Sequence, residues 1–300
     1  MEFGRVPKDL LETTDFSLPH DPITNKLVLK GEKANVSKVY IGCAKWGRKE
    51  WIGKTYPKAT KESDFLKEYI KQYNSIELNA THYNIYSPGA IAKWAKKAKG
   101  TDFKFCPKVP QIISHYSNFI NAESSTTAFL EGIRAFEENL GPIFLQVSEN
   151  YSPNKKESLF KYLQSLPKDL QFFLEVRHPD WFADKALLKE LFDILKSLEI
   201  GAVITDTAAR RDCAHMHLTL PKAFVRYVGN SLHPTDYIRI DEWVKRIQYW
   251  LDNGLEEMYF FMHMHDEALS PDLTIYLVEK INRQCGLKIK SPFFIQPKLF

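Results

Sequence analysis

Cysteine is scarce in this chain: Cys43, Cys106, Cys213 and Cys285 are the only four in 300 residues, and no two form a C-x-x-C pair. That spacing argues against a disulfide framework or a zinc knuckle, and makes a reducing cytoplasm the expected home. Long apolar runs are missing too. No stretch approaches the roughly 18 consecutive apolar residues of a membrane helix, so no membrane partner is expected. The N-terminus, MEFGRVPKDLLETTDF, lacks the apolar core followed by small residues that marks an export signal. After the first apolar segment, Gly42 and Gly47 do not complete G-x-G-x-x-G, which disfavours a nicotinamide enzyme. Charge of one sign is barely in excess. A formal net charge of +4 permits an anionic partner without demanding nucleic acid. Neither a 20- to 50-residue repeat nor a low-complexity linker divides the chain.

What is present is core. Apolar residues make up 44% of the chain and aromatic ones 13%, enough for a sizeable interior. Residues 1–37 carry prolines, Gly31 and scattered charge without a period, and read as an extension laid over the fold or partly mobile. From residue 38 to 300 a single order repeats. Strand-like segments at 39–44, 75–79, 103–108, 142–147, 171–176, 201–205, 223–228 and 258–263 alternate with helical patterns near 63–73, 88–99, 126–139, 156–165, 186–198, 241–251 and 271–283. Only the sixth strand is followed by an irregular segment. Eight strands in this alternation predict one α/β domain, a (β/α)8 TIM-type barrel, with an N-terminal extension.

The stretch Phe172–Phe182, FFLEVRHPDWF, shows what such a barrel would do. Phe172, Leu174 and Val176 share one face of an extended chain, and Phe173, Glu175 and Arg177 share the other. An acid and a base on the inner face, just before a proline that ends the ladder, point to a polar opening at the strand's C-terminal end. The same parity places Glu77 and Asn79, Lys108, Gln146, Asp206 just after the sixth strand, Arg226 and His263 toward the mouth. Three acids then face three permanent bases. They either neutralise one another as a buried network, or form a site in which Glu77, Glu175 and Asp206 carry acid/base chemistry. In the second case Lys108, Arg177 and Arg226 grip an oxyanion, the arginines through two parallel hydrogen bonds. The glutamate pKa values are expected to rise with burial or fall beside Arg177.

His263-Met264-His265-Asp266 and His215-Met216-His217 each set two imidazoles on one face of an extended segment, a spacing that can serve a divalent metal, although a hydrogen-bonded structural histidine is the commoner fate. No other cofactor is expected. Trp46, Trp51, Tyr56, Tyr83, Tyr86 and Trp181 lie just beyond strand ends, where they either stack a sugar or base or anchor the loops.

Several segments together resemble the YecE-like family, domain of unknown function 72: IGCAKWGRKEW (41–51), IELNATHYNIYSP (76–88), FKFCPKVPQIISH (103–115), LGPIFLQVSENY (140–151), FLEVRHPDWF (173–182), AVITD (202–206) and FVRYVG (224–229). The resemblance implies a TIM-type barrel. It also implies that Trp46, Glu77, Asn79, Thr81, Tyr83, Lys108, Gln146, Glu175, Arg177, His178, Asp206 and Arg226 occupy the family's usual site positions. It supplies no reaction. The chain departs from the family pattern at the eighth strand, where FMHMHDEA stands in place of a Phe-Asn-Asn type segment, and in its N-terminal extension.

Three functions follow as expectations. The first is an enzyme acting on a small anionic molecule, a sugar, sugar phosphate or carboxylate. The second is a nucleic-acid binder or metal-assisted phosphodiesterase, with Lys93, Lys96, Lys97 and Lys99 on backbone phosphates or simply on a solvated helix face. The third is a barrel that binds without catalysing.

Overall fold

The structure is a computed structural model that describes residues 3–34 and 37–295. Among the described residues eight strands carry the fold: β1 (Lys38–Cys43), β2 (Ser75–Leu78), β3 (Lys104–Pro107), β4 (Ile143–Gln146), β5 (Phe172–Glu175), β6 (Gly201–Asp206), β7 (Lys222–Gly229) and β8 (Glu257–Met264). Each coincides with an expected segment to within about two residues. Between and after them run the helices Phe65–Gln72, Pro88–Ala98, Glu123–Arg134, Lys156–Ser165, Lys185–Ser197, Pro234–Asp252 and Ser270–Cys285, whereas β6 is followed by a single 3-10 turn, Arg211–Cys213. The helix expected near Asp241 starts instead at Pro234. Proline suits the first helical position, and the His233 side chain accepts the Thr235 amide just ahead of it. Among the described residues no helix is long and apolar enough to cross a membrane. All four cysteines are free thiols.

The strands form two parallel ladders rather than the continuous eight-stranded one expected. Six strands pair in the order β1-β8-β7-β6-β5-β4, a sheet curled into a half-barrel, while β2 and β3 pair only with each other. Both breaks have a local cause. At the first, the Asn74 side chain takes the place of ladder bonds: its Oδ1 accepts the Ile41 amide at 2.7 Å and its Nδ2 donates to the Val39 carbonyl at 2.9 Å. The Tyr69 hydroxyl bridges the same seam, accepting from the Cys43 amide and donating to the Ser75 carbonyl. Gly42 permits this approach, since a Cβ there would lie 2.1 Å from the Ser75 carbonyl oxygen. At the second break, Pro107 has no N–H to give, and β3 meets β4 only through isolated bridges at Phe105–Leu140 and Lys108–Phe144.

Inside the curve, Tyr40, Cys106, Phe144, Phe173, Val203, Phe224, Tyr259 and Phe261 pack as one buried cluster. They are the inward positions of their strands, and the residue two further along each strand points the same way, one layer nearer the C-terminal ends. The N-terminal extension is a strap. Leu11 and Phe16 pack on Ala208, the Asp21 carboxylate takes Arg246 and the Trp250 indole N–H, and the Gly31 amide reaches the Asn253 carbonyl.

Candidate functional site

One layer above the aromatic cluster the inward positions turn polar. Glu77, Lys108, Gln146, Glu175, Thr205, Arg226 and His263 are all buried. Arg226 is the hub. Its Nε and Nη2 donate to the two Glu77 carboxylate oxygens at 2.9 and 2.8 Å, and its Nη1 donates to Glu175 Oε2 at 2.7 Å. Glu77 also receives the Asn79 amide at 2.8 Å and lies 2.9 Å from His263 Nε2. Glu175 Oε1 takes Arg177 Nε at 2.6 Å and the Thr205 hydroxyl at 3.0 Å. Every carboxylate oxygen is therefore hydrogen-bonded, as buried charge requires.

Burial alone would raise both carboxyls, but the groups hydrogen-bonded to them prevail. Arg226 and His263 hold Glu77 well below the ordinary glutamate value, and Arg177 and Arg226 hold Glu175 down to about 2. Lys108 is placed differently. Its ammonium donates to Gln146 Oε1 at 2.9 Å, and burial, then repulsion from Arg226 and Arg177, pushes it down to about 7. His82 and His115 stand ring to ring at 4.9 Å near this lysine, with burial first and then Lys108 lowering them to about 3 and about 4. The charges do not cancel. Two guanidinium groups match two carboxylates, and the Lys108 proton is the surplus.

The family model for "Protein of unknown function DUF72" matches residues 40–293, a span that holds every one of these side chains. The chain belongs to the DUF72 family. Its DUF72 relatives include the UPF0759 protein YecE of Escherichia coli K12, 26% identical over 263 residues that cover 82% of this chain and 93% of YecE. A DUF72 protein of Enterococcus faecalis superposes with a TM-score of 0.65 at 17% identity, over 87% of this chain and 99% of its own. One from Thermotoga maritima superposes with a TM-score of 0.62 at 22% identity, over 83% of this chain and 100% of its own. At these identities the structural likeness speaks for the fold alone.

The expected site positions divide into two groups. Glu77, Asn79, Lys108, Gln146, Glu175, Arg177, Arg226 and His263 form the connected network. Asp206 does not join it. Its neighbours Ile204 and Ala202 pack in the outer core, and its carboxylate faces the helix layer, paired with Arg239 at 3.0 Å, with Arg211, and with the Trp243 indole N–H at 2.7 Å. The inward residue of β6 is Thr205, two beyond Val203, a parity that the uniformly buried strand, apolar from Ala202 to Ile204, conceals. Trp46 is half-buried and edge-on to Trp94, and Thr81 Oγ1 brackets the carbonyls of Leu78 and Lys108. Tyr83 is exposed beside His82, and His178 Nδ1 accepts the Asp180 amide in a local turn. The indoles of Trp51 and Trp181 donate to loop carbonyls, at Glu267 and Tyr151, and so anchor loops.

The histidine pairs are committed elsewhere. His215 Nε2 lies 3.1 Å from the Val203 carbonyl and His217 stacks on Phe192 at 4.0 Å, while the Asp266 carboxylate accepts the Ala268 amide. Among the described residues no group of three or more His, Cys, Asp or Glu is arranged to hold a metal ion. His82, His115 and Thr205 escaped the sequence reading. His115 stands in the short helix Ile112–Tyr116, ten residues beyond Phe105, where strand parity carries no information.

Proposed function

We propose that this chain acts on a small anionic molecule, a sugar, sugar phosphate or carboxylate, with Lys108 as the group that gives and takes the proton. The observation that carries the reading is the position of Lys108: a buried ammonium with one neutral acceptor, between two guanidinium groups whose charge the carboxylates already balance. Glu77 and Glu175 stay ionised at neutral pH and have little basicity, so their part is to hold Arg226 and Arg177 in place. An anion entering the site favours the protonated lysine. Its departure favours the free amine, which can then accept a proton or attack a carbonyl. The reading treats the two ladders as one barrel, with Asn74 and Tyr69 standing where ladder bonds are missing, because Glu77 on β2 and Arg226 on β7 grip each other across the interior. A nucleic-acid strand fits this site poorly, since each charged member of the network is within a few per cent of full burial. With His263 engaged by Glu77, the chemistry falls to the lysine rather than to a metal ion.

The test is calorimetric titration with phosphate, sulfate and sugar acids at pH 8, in two buffers of different ionisation enthalpy. The wild type should take up a proton as the anion binds, and Lys108→Met should abolish the uptake. Absence of binding by every anion in the panel, or uptake unchanged in Lys108→Met, would remove Lys108 from this role.

A further inference from the structure

Arg177 is not open to solvent, because the chain's own N-terminal segment lies on it. The Phe3 ring covers the guanidinium face of Arg177 at 4.0 Å, and the Arg210 guanidinium lies 5.7 Å from the same ring. Arg177 is 5% exposed and Phe3 9%. In the guanidinium plane, Nε is bound to Glu175, Nη1 lies 3.6 Å from the rim residue Glu149, and Nη2 is buried with no hydrogen-bond partner among the described residues. A ring against the face of an arginine gives it cation–π attraction but accepts none of its N–H bonds, and an unpaired buried donor is costly. An oxyanion would satisfy what the phenyl ring leaves unsatisfied.

The tip that carries Phe3 is held through its backbone to the segment that follows β6. The Phe3 carbonyl accepts the Thr207 hydroxyl at 3.0 Å and the Gly4 carbonyl accepts the Ala209 amide at 2.9 Å. Gly4 has φ of +71°, and a Cβ there would lie 2.2 Å from Thr207 Oγ1. The apolar anchors begin at Val6, which packs against the cluster of Leu11, Phe16 and Ala208, and polar ones follow at Asp21 on Arg246 and Trp250. The tip can therefore leave while the strap stays. Arg177 lies within the DUF72 match and Phe3 lies outside it, so the site is built from one part of the chain and covered by another.

We propose that Phe3 is an intramolecular plug: the N-terminal tip and an anionic ligand compete for Arg177, and the structure shows the plugged state. This rests on the anion-binding reading above. Two variants free the tip by different means. Phe3→Ala removes the ring, and Gly4→Val forces the segment off Thr207 with the ring retained. Phenylglyoxal, which modifies accessible arginines, reports on Arg177 without need of any ligand when the modified peptide is followed by mass spectrometry. Both variants should unmask Arg177, and both should bind inorganic phosphate about thirtyfold more tightly than the wild type, the size of a desolvated cation–π contact expressed as an affinity ratio. Phosphate should in turn protect Arg177 in Phe3→Ala. Equal modification rates in all three proteins, or equal phosphate affinity, would overturn the plug and leave the anion reading standing. Arg177 unmasked in the variants, with phosphate binding to none of them, would overturn the anion reading and the competition with it.

Discussion

At the scale of single residues, Arg226 and Lys108 make opposite predictions. Arg226 supplies three close hydrogen bonds to Glu77 and Glu175, so Arg226→Ala leaves two buried carboxylates short of their main counter-charge. We expect a loss of about 3–5 kcal/mol in urea unfolding, the cost of breaking a buried pair on one side only. A loss below about 1 kcal/mol would mean that water reaches the network. Lys108 burdens the fold. With its folded pKa near 7 and its ordinary value 10.5, the unfolded chain binds more protons between those limits, so this residue's contribution to stability rises with pH through that window. Wild type minus Lys108→Met, measured in denaturant melts from pH 6.5 to 9.5, should climb by about 1 kcal/mol per pH unit above pH 7. A flat difference would place the lysine in water. Asp206→Asn should weaken folding, through Arg239 and Trp243, and leave anion binding as it was.

At the scale of elements, the seam between β1 and β2 decides whether the half-barrel and the β2–β3 pair act as one body. Asn74 joins them through two backbone groups, the Ile41 amide and the Val39 carbonyl. Asn74→Ala orphans both, at a cost of about 2–6 kcal/mol if each incurs the usual penalty for an unmet buried group. Because Glu77 rides on β2, the same change should loosen its grip on Arg226 and reduce anion affinity as well. Hydrogen exchange that speeds up at Ile41 and Ser75 together would show the seam opening. Loss of stability with unchanged exchange there would assign the cost to some other part of the fold. Gly42 belongs to the same seam, since no side chain fits between it and the Ser75 carbonyl.

For the whole molecule, the buried carboxylates set the acid limit. Glu175 has its folded pKa depressed from 4.5 to about 2, and Glu77 is depressed too, so their stabilisation is complete above pH 4.5 and lost as pH falls toward about 2. Acid unfolding should be steep within that window, and Glu175→Gln should flatten it. An unchanged acid transition would mean that both groups are hydrated in solution. The strap ties the C-terminal ends of the strands, through Phe3 and Thr207, to the turn at Asn253 that precedes β8, so a ligand that displaces its tip acts on a segment anchored elsewhere on the molecule.

The sequence by itself determined the strands and helices and most of the polar network, because these depend on local periodicity, while the family followed from the resemblance of whole motifs. Phe173, Glu175 and Arg177 alternate with Phe172, Leu174 and Val176, and side chains two apart on a strand share a face whatever surrounds them. Three matters were left to the tertiary structure. Thr205 rather than Asp206 faces the network, since in a strand buried on both sides hydrophobicity carries no parity. Lys108 rather than a glutamate is tuned to neutral pH, because a pKa answers to charges that come from several strands at once. And the covering of Arg177 by Phe3 joins residues 174 positions apart, a contact that no local pattern encodes.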